Sequence, residues 1–194
     1  MTWLVAGLGN PGDRYARTRH NLGYRVVDEL ARRSGERFKK VRFVPVDAAE
    51  ITEAGDRVIL AKAHAYMNET GSAFASLARK HHMEPDHVIA VHDDIDLPCG
   101  ALRVKFGGST AGHNGLRSVG GALKTPDFHR VRLGVGRPPG RMDAADWVLK
   151  DFAKKEEPDV ELLVTDGADA VLSLVRDGLQ VTQDRFNRAG PPAR

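Results

Sequence analysis

Cysteine is nearly missing. Cys99 stands alone among 194 residues, so no internal disulfide can form and a reducing, cytoplasmic setting is expected. Aromatic residues make up only 6% of the chain, and no apolar run approaches the ~18 residues a membrane span requires. The opening Met1-Thr2-Trp3-Leu4-Val5-Ala6-Gly7 has no basic stretch and meets Pro11-Gly12 too soon for a secretory signal. No membrane partner is therefore expected. Also missing are a G-x-S-x-G elbow, a G-x-x-x-x-G-K-[ST] loop and an H-E-x-x-H helix. Their absence excludes the common signatures of elbow serine hydrolases, P-loop nucleotide enzymes and zinc proteases. What remains is an ordinary globular composition, 41% apolar and 28% charged, at a length that suits one domain and needs no covalent staple.

Charge is uneven along the chain. Residues 1–99 balance, and residues 142–194 are acidic. Between them, residues 100–141 hold eight basic side chains (Arg103, Lys105, Arg117, Lys124, Arg130, Arg132, Arg137 and Arg141) against a single acid, Asp127. A concentrated positive field attracts a polyanion. The alternative is a solvated basic face balanced by the acidic C-terminal part.

Pattern and punctuation predict the elements. Trp3–Leu8 reads as a buried strand, and Leu22, Val26, Val27, Leu30 and Ala31 recur at helical spacing behind Asn21 as N-cap. Two β-rich runs around Gly55-Asp56 suggest a hairpin over 43–63, followed by a helix over about 68–81. Strands are expected at 87–92, 101–106 and 128–135, with a mobile glycine-rich loop at 107–112 and a helix over 113–123. From Asp143 the pattern is helical, broken at Pro158 and Gly178, and residues 188–194 form a frayed tail. Alternation of strands and helices predicts an α/β fold. Residues 1–187 form a single domain, a twisted, mixed, mostly parallel sheet with helices on both faces.

Open α/β sheets bind ligands at the carboxyl ends of their strands. Four loops leave the sheet there. They carry Asn10 with His20, Tyr66-Met67-Asn68, His92-Asp93-Asp94, and His113-Asn114. Asparagine amides can orient an ester or amide carbonyl. An imidazole near neutrality suits general-base work, and an aspartate can fix its tautomer. Singly, each such residue reads equally as a turn former or a satisfied polar group. Gly7-Leu8-Gly9-Asn10-Pro11-Gly12 matches the dinucleotide fingerprint, which keeps an NAD-binding oxidoreductase as an alternative. Its context is poor, because Pro11 removes an amide and no helix begins until about Asn21. His92-Asp93-Asp94-Ile95-Asp96 imitates a metal site, but consecutive strand residues point apart, so no metal is expected.

Taken in order, these segments closely resemble bacterial-type peptidyl-tRNA hydrolases over roughly residues 3–187. The resemblance rests on Gly7–Gly12, on Tyr15 with Thr18-Arg19-His20-Asn21, and on Tyr66-Met67-Asn68-Glu69-Thr70-Gly71. It continues through His92–Pro98, Gly112-His113-Asn114-Gly115-Leu116-Arg117-Ser118 and Phe128–Pro138. Before Tyr66 this chain has Lys62-Ala63-His64-Ala65 where the family usually has Lys-Pro-x-Thr. The resemblance implies a cofactor-free hydrolase of the ester between a nascent peptide and the 3′ ribose of tRNA, with peptidyl-tRNA as its partner and a monomeric state expected. It implies His20 as base and Asp93 as its support. Asn10 would recognise the N-blocked acyl group, and Tyr15, Tyr66, Met67, Asn68 and Asn114 would bind substrate. Arg103, Lys105, Arg130 and Arg132 would receive tRNA phosphates. A non-catalytic RNA-binding relative on the same fold is the second alternative.

Overall fold

The computed structural model describes residues 1–187, and the expected frayed tail lies outside them. Seven strands form one sheet: β1 (Thr2–Gly7), β2 (Lys39–Lys40), β3 (Val46–Glu53), β4 (Asp56–Ala63), β5 (Val88–Asp94), β6 (Leu102–Phe106) and β7 (His129–Gly134). Their order is β2-β3-β4-β1-β5-β7-β6. The central strands β4, β1, β5 and β7 are mutually parallel, whereas β2, β3 and β6 join antiparallel at the flanks. The expected hairpin is β3–β4, turning through Ala54 and Gly55, both with positive φ, as a two-residue turn of matching twist requires.

Alternation along the strands explains the layers. Val5, Leu60, Val91 and Val131 face one side with α1 (Leu22–Arg33) and α5 (Glu157–Phe186). Leu4, Ala6, Ile59 and Ala90 face the other with α2 (Thr70–Lys80) and α3 (Asn114–Leu123). Each face thus buries the apolar stripe of a helix pair. A fifth helix, α4 (Ala144–Val148), spans barely one turn.

Several boundaries differ from the sequence reading. Pro158 starts α5 instead of breaking it, because proline is tolerated in a first turn where its amide would lack a partner anyway. Gly178, with φ 80°, does kink that helix. Beyond the kink, the Asn187 amide pairs with both the N–H and the carbonyl of Val104, and Gln183 also donates to that carbonyl. The helix end thereby covers the open edge of β6. The stretch expected to be helical from Asp143 holds only α4 before Glu157. Strand β5 ends two residues later than expected, which keeps Asp93 in the pairing, opposite Leu133.

Gly7 and Gly23 serve packing. A Cβ on Gly7 would stand 2.7 Å from the Gly23 carbonyl, and one on Gly23 would stand 2.2 Å from the Val91 carbonyl. Helix α1 can therefore approach β1 and β5 only without side chains at these points. The loop after Gly12 enters a three-residue turn, Asp13–Tyr15, and no α-helix begins before Leu22. Nothing here offers the helix N-terminus that a dinucleotide pyrophosphate requires.

Candidate active site

Strand β1 leads outward to β4, and β5 leads the other way to β7. The crevice beyond the carboxyl ends of β1 and β5 is thus the point where the winding reverses, the usual ligand position in an open α/β sheet. A cleft of about 820 Å³ opens there, lined among others by Asn10, His20, Met67, Asp93, His113 and Asn114.

At its floor lies one carboxylate. Asp93 is buried, with 1% of its surface exposed. His20 Nδ1 stands 2.9 and 3.0 Å from its two oxygens. His113 Nε2 stands 2.9 Å from Oδ1. The neighbouring His92 uses Nδ1 to hold the Asp93 main-chain carbonyl at 2.7 Å. Burial works against the ionised form of Asp93, but attraction to His20 and His113, with their hydrogen bonds, outweighs it and holds the carboxyl below the usual range. Burial likewise pulls the His20 imidazole down, and the charge and hydrogen bond of Asp93 overcome this to raise it above its ordinary value. His92, fully enclosed, goes the other way: burial and the adjacent His113 push it well below.

Hydrogen bonds also assign the ring protons. His113 is the N-cap of α3, and its Nδ1 accepts from the amides of Gly115 and Leu116 at 3.1 and 3.3 Å. Its proton therefore sits on Nε2 and is donated to Asp93. The carboxylate can accept from His20 only if Nδ1 carries a proton, which leaves the His20 Nε2 lone pair free. His20, Asp93 and His113 bring three potential ligand atoms within 4.8 Å of one another. The His113 nitrogen in that group has a hydrogen where a cation would need a lone pair, so the set suits proton handling better than metal binding.

A second network fixes the asparagines. Asn21, expected as an N-cap, makes no cap bond to α1. It turns to Asn10 instead, donating to the Asn10 carbonyl and accepting from the Asn10 amide, both at 2.9 Å. Asn10 in turn uses Oδ1 to accept from the Met67 amide at 2.8 Å. The Tyr66–Asn68 segment is thereby anchored although Ala63 stands where the resemblance expects a proline. The Asn10 carbonyl oxygen being committed, its Nδ2 donor is the group left for a ligand.

The structure brings Asn10, His20, Tyr66, Met67, Asn68, Asp93 and Asn114 around one cleft. Tyr15 stands behind Tyr66, edge-on with ring centroids 6.2 Å apart. Sequence reasoning placed His113 on one of the four loops but gave it no role, and read Asn21 only as a helix cap. Histidine at an N-cap position followed by Asn114-Gly115 was the available signal for the first.

The basic residues divide. Arg103 faces Arg132, and Lys105 faces Arg130, across the β6–β7 pair. Like charges directly opposite are unfavourable unless compensated. Arg132 donates to Asp94 at 2.8 Å. Lys105 is lowered by burial and by Arg130 and Arg132. Arg130 corrects the sequence reading. It is wholly buried, and its guanidinium donates to the carbonyls of Gly108, Ser109 and Pro126 at 2.6–3.2 Å. It ties down the glycine-rich loop, which was expected to be mobile, and no phosphate can reach it.

Comparison with known proteins agrees with this geometry. The family model described as peptidyl-tRNA hydrolase matches residues 4–193. A curated peptidyl-tRNA hydrolase of Arthrobacter sp. (strain FB24) is 50% identical over 190 residues, covering 97% of each chain. That of Frankia alni is 50% identical over 185 residues, covering 95% of this chain and 93% of its own. The crystal structure of peptidyl-tRNA hydrolase from Acinetobacter baumannii superposes with a TM-score of 0.90 at 30% identity, covering 98% of this chain and 96% of that one. An Arabidopsis thaliana 5′-methylthioadenosine nucleosidase, 9% identical with a TM-score of 0.53, shares only the fold. With its switch-point cleft, its buried carboxylate between two imidazoles and relatives matched end to end, this chain belongs to the peptidyl-tRNA hydrolase family.

Proposed function

We propose that this chain hydrolyses the ester joining a peptide to the 3′ ribose of tRNA, with His20 as general base and Asp93 as its support. The observation that carries the reading is the single carboxylate holding His20 by Nδ1, which leaves Nε2 available at a cleft large enough for an acylated nucleotide. A water bound at His20 Nε2 gives up a proton as its oxygen attacks the acyl carbonyl. The imidazolium that forms is stabilised by Asp93, and it returns the proton to the departing ribose oxygen. One water is consumed, and a free peptide carboxyl and a free tRNA hydroxyl result, with no cofactor required.

The polar groups around the cleft divide the remaining work. Asn10 Nδ2 donates to a carbonyl of the N-blocked acyl group, and Asn68 or Asn114 donates to the developing oxyanion. Tyr15, Tyr66 and Met67 form the side that receives the terminal nucleotide or the first peptide residue. Arg103, Lys105 and Arg132 meet tRNA phosphates, in keeping with the basic pairs that face each other across β6 and β7, of which Arg132 also holds Asp94. We take the chain to act on this substrate as a monomer. The lone Cys99 fits a reducing cytoplasm. Among the described residues no helix is long and apolar enough to cross a membrane.

Release of free tRNA from N-acetyl-aminoacyl-tRNA, beside an unblocked aminoacyl-tRNA control, tests the activity. The native chain should cleave the blocked substrate and spare the control, and His20→Ala should lose ~10²–10⁴-fold in kcat while still binding tRNA. Turnover within a few-fold of native in that variant would remove His20 as the base.

The pH dependence follows from the same pair. The base must be neutral, and its folded pKa is raised above 6.5 by Asp93, so kcat/KM should climb with pH through a midpoint above 6.5. In Asp93→Asn the raising causes vanish while burial remains, so the midpoint should move below 6.5 as the plateau rate falls. An unmoved midpoint would separate the two groups functionally.

For the phosphate path, Lys105→Ala and Arg132→Ala should each reduce the slope of log K against log salt for tRNA binding by about one. Arg130→Lys should leave the slope unchanged. Equal slopes for all three variants and the native chain would place the path elsewhere.

A further inference from the structure

Arg19 adjoins the base in sequence yet points away from it. The residue is buried at 3% exposure. Its Nη1 donates to the carbonyls of Lys150 and Asp151 at 3.1 and 2.7 Å. Its Nη2 lies 3.1 and 3.0 Å from the two oxygens of Glu156. The guanidinium carbon stands 3.7 Å from the centre of the Trp147 ring and 4.8 Å from that of Phe152. The main chain joins in: the Arg19 amide donates to Lys150, and Thr18 bridges Asp151 in antiparallel fashion. Glu156 thus balances the buried charge of Arg19.

What Arg19 grips is a wall of the cleft. Ala144, Ala145, Val148 and Leu149, in and just after α4, line it. Helix α4 has five residues, too few to persist without tertiary support. Apart from the Arg19 contacts, the Trp147 indole donates to the Gly136 carbonyl at 2.9 Å. Glu156 accepts from the Ala153 amide as well, which closes the turn leading to α5. One planar cation therefore joins α4 and the segment leading into α5 to the short turn that carries His20.

We propose that Arg19 is a positioning residue that locks the 144–149 wall to His20, so that the base and the surface supporting the acyl group move as one body. The inference rests on the hydrolytic reading above. Lysine in its place would keep the charge but lose the two-pronged bond to Glu156 and the flat stack on Trp147. A loosened wall misplaces the ester relative to the base, and misplacement by about 1 Å costs ~10²-fold in rate.

Three variants test this on the full chain: Arg19→Lys, Glu156→Gln and the pair together. All are assayed well below their unfolding temperatures. For N-acetyl-aminoacyl-tRNA, Arg19→Lys should lower kcat ten-fold or more, while affinity for deacylated tRNA stays within two-fold. Glu156→Gln should lower kcat less, and the double variant should be no worse than Arg19→Lys, since both members act through one contact. Acrylamide should reach Trp147 more readily in each variant than in the native chain. A purely structural role would lower Tm but leave kcat and acrylamide access native at the assay temperature, and that result would overturn the proposal. So would additive losses in the double variant. If Arg19→Lys fails to fold, Glu156→Gln alone carries the same comparison, because its carboxylate lies on the more open side of the pair. Native chain that cannot cleave the blocked substrate would instead sink the hydrolytic reading, and the acrylamide comparison would still judge the clamp.

Discussion

One buried carboxylate organises this molecule's chemistry. Asp93 accepts from His20 and His113 through its side chain, and its main-chain carbonyl accepts from His92. A lone buried carboxylate would be driven to its neutral form, and an unpartnered one would be costly. Two imidazole donors reverse that tendency. The same bonds decide the tautomer of each ring, so the local electrostatics and the availability of the His20 lone pair are one fact seen from two sides. His113 owes its own orientation to the first amides of α3, which ties the charge state of the site to a helix terminus.

The fold exists to bring these groups to one place. His20 precedes α1, Asp93 is the last residue but one of β5 and His113 caps α3, so more than seventy residues separate the first two. They meet because β1 and β5 are neighbours whose connections leave in opposite directions. Helix α1 can lie close enough over these strands only because Gly7 and Gly23 have no side chains. Asn21 then fastens Asn10, and Asn10 fastens Met67, so the second wall of the cleft is positioned by hydrogen bonds that begin one residue after the base. On the far side Arg130 secures the glycine-rich loop that leads to His113.

Much of this was legible beforehand. Strand and helix periods located nearly every element, since each buries one face of a layered structure and the pattern reports the face directly. The placement of Asn10, His20, Asn68 and Asp93 beyond the carboxyl ends of parallel strands followed from the order of elements, whereas Asn114 follows antiparallel β6 and reaches the cleft only across the 107–112 loop. What stayed hidden depended on where side chains point. Arg130 and Arg132 occupy the same strand face two residues apart, yet one is enclosed by three carbonyls and the other borders solvent. Charge counting cannot separate them. Asn21 satisfies the compositional rule for a helix cap but spends both amide groups across a loop. Pro158 reads as a breaker until its position in the first turn is known. For Arg130 and Asn21 a long-range partner overrode a sound local preference, and for Pro158 its place in the first turn did.

The account stands most directly on which nitrogen of His20 bears the proton. Long-range ¹H–¹⁵N correlation spectra of the imidazole rings, recorded above the His20 titration, read this without substrate or mutation. The arrangement around Asp93 predicts opposite tautomers for two rings sharing one carboxylate: Nδ1–H with a bare Nε2 for His20, and Nε2–H with a bare Nδ1 for His113. A neutral His20 protonated at Nε2 would contradict it, because the nitrogen assigned to accept the proton of water would already be occupied.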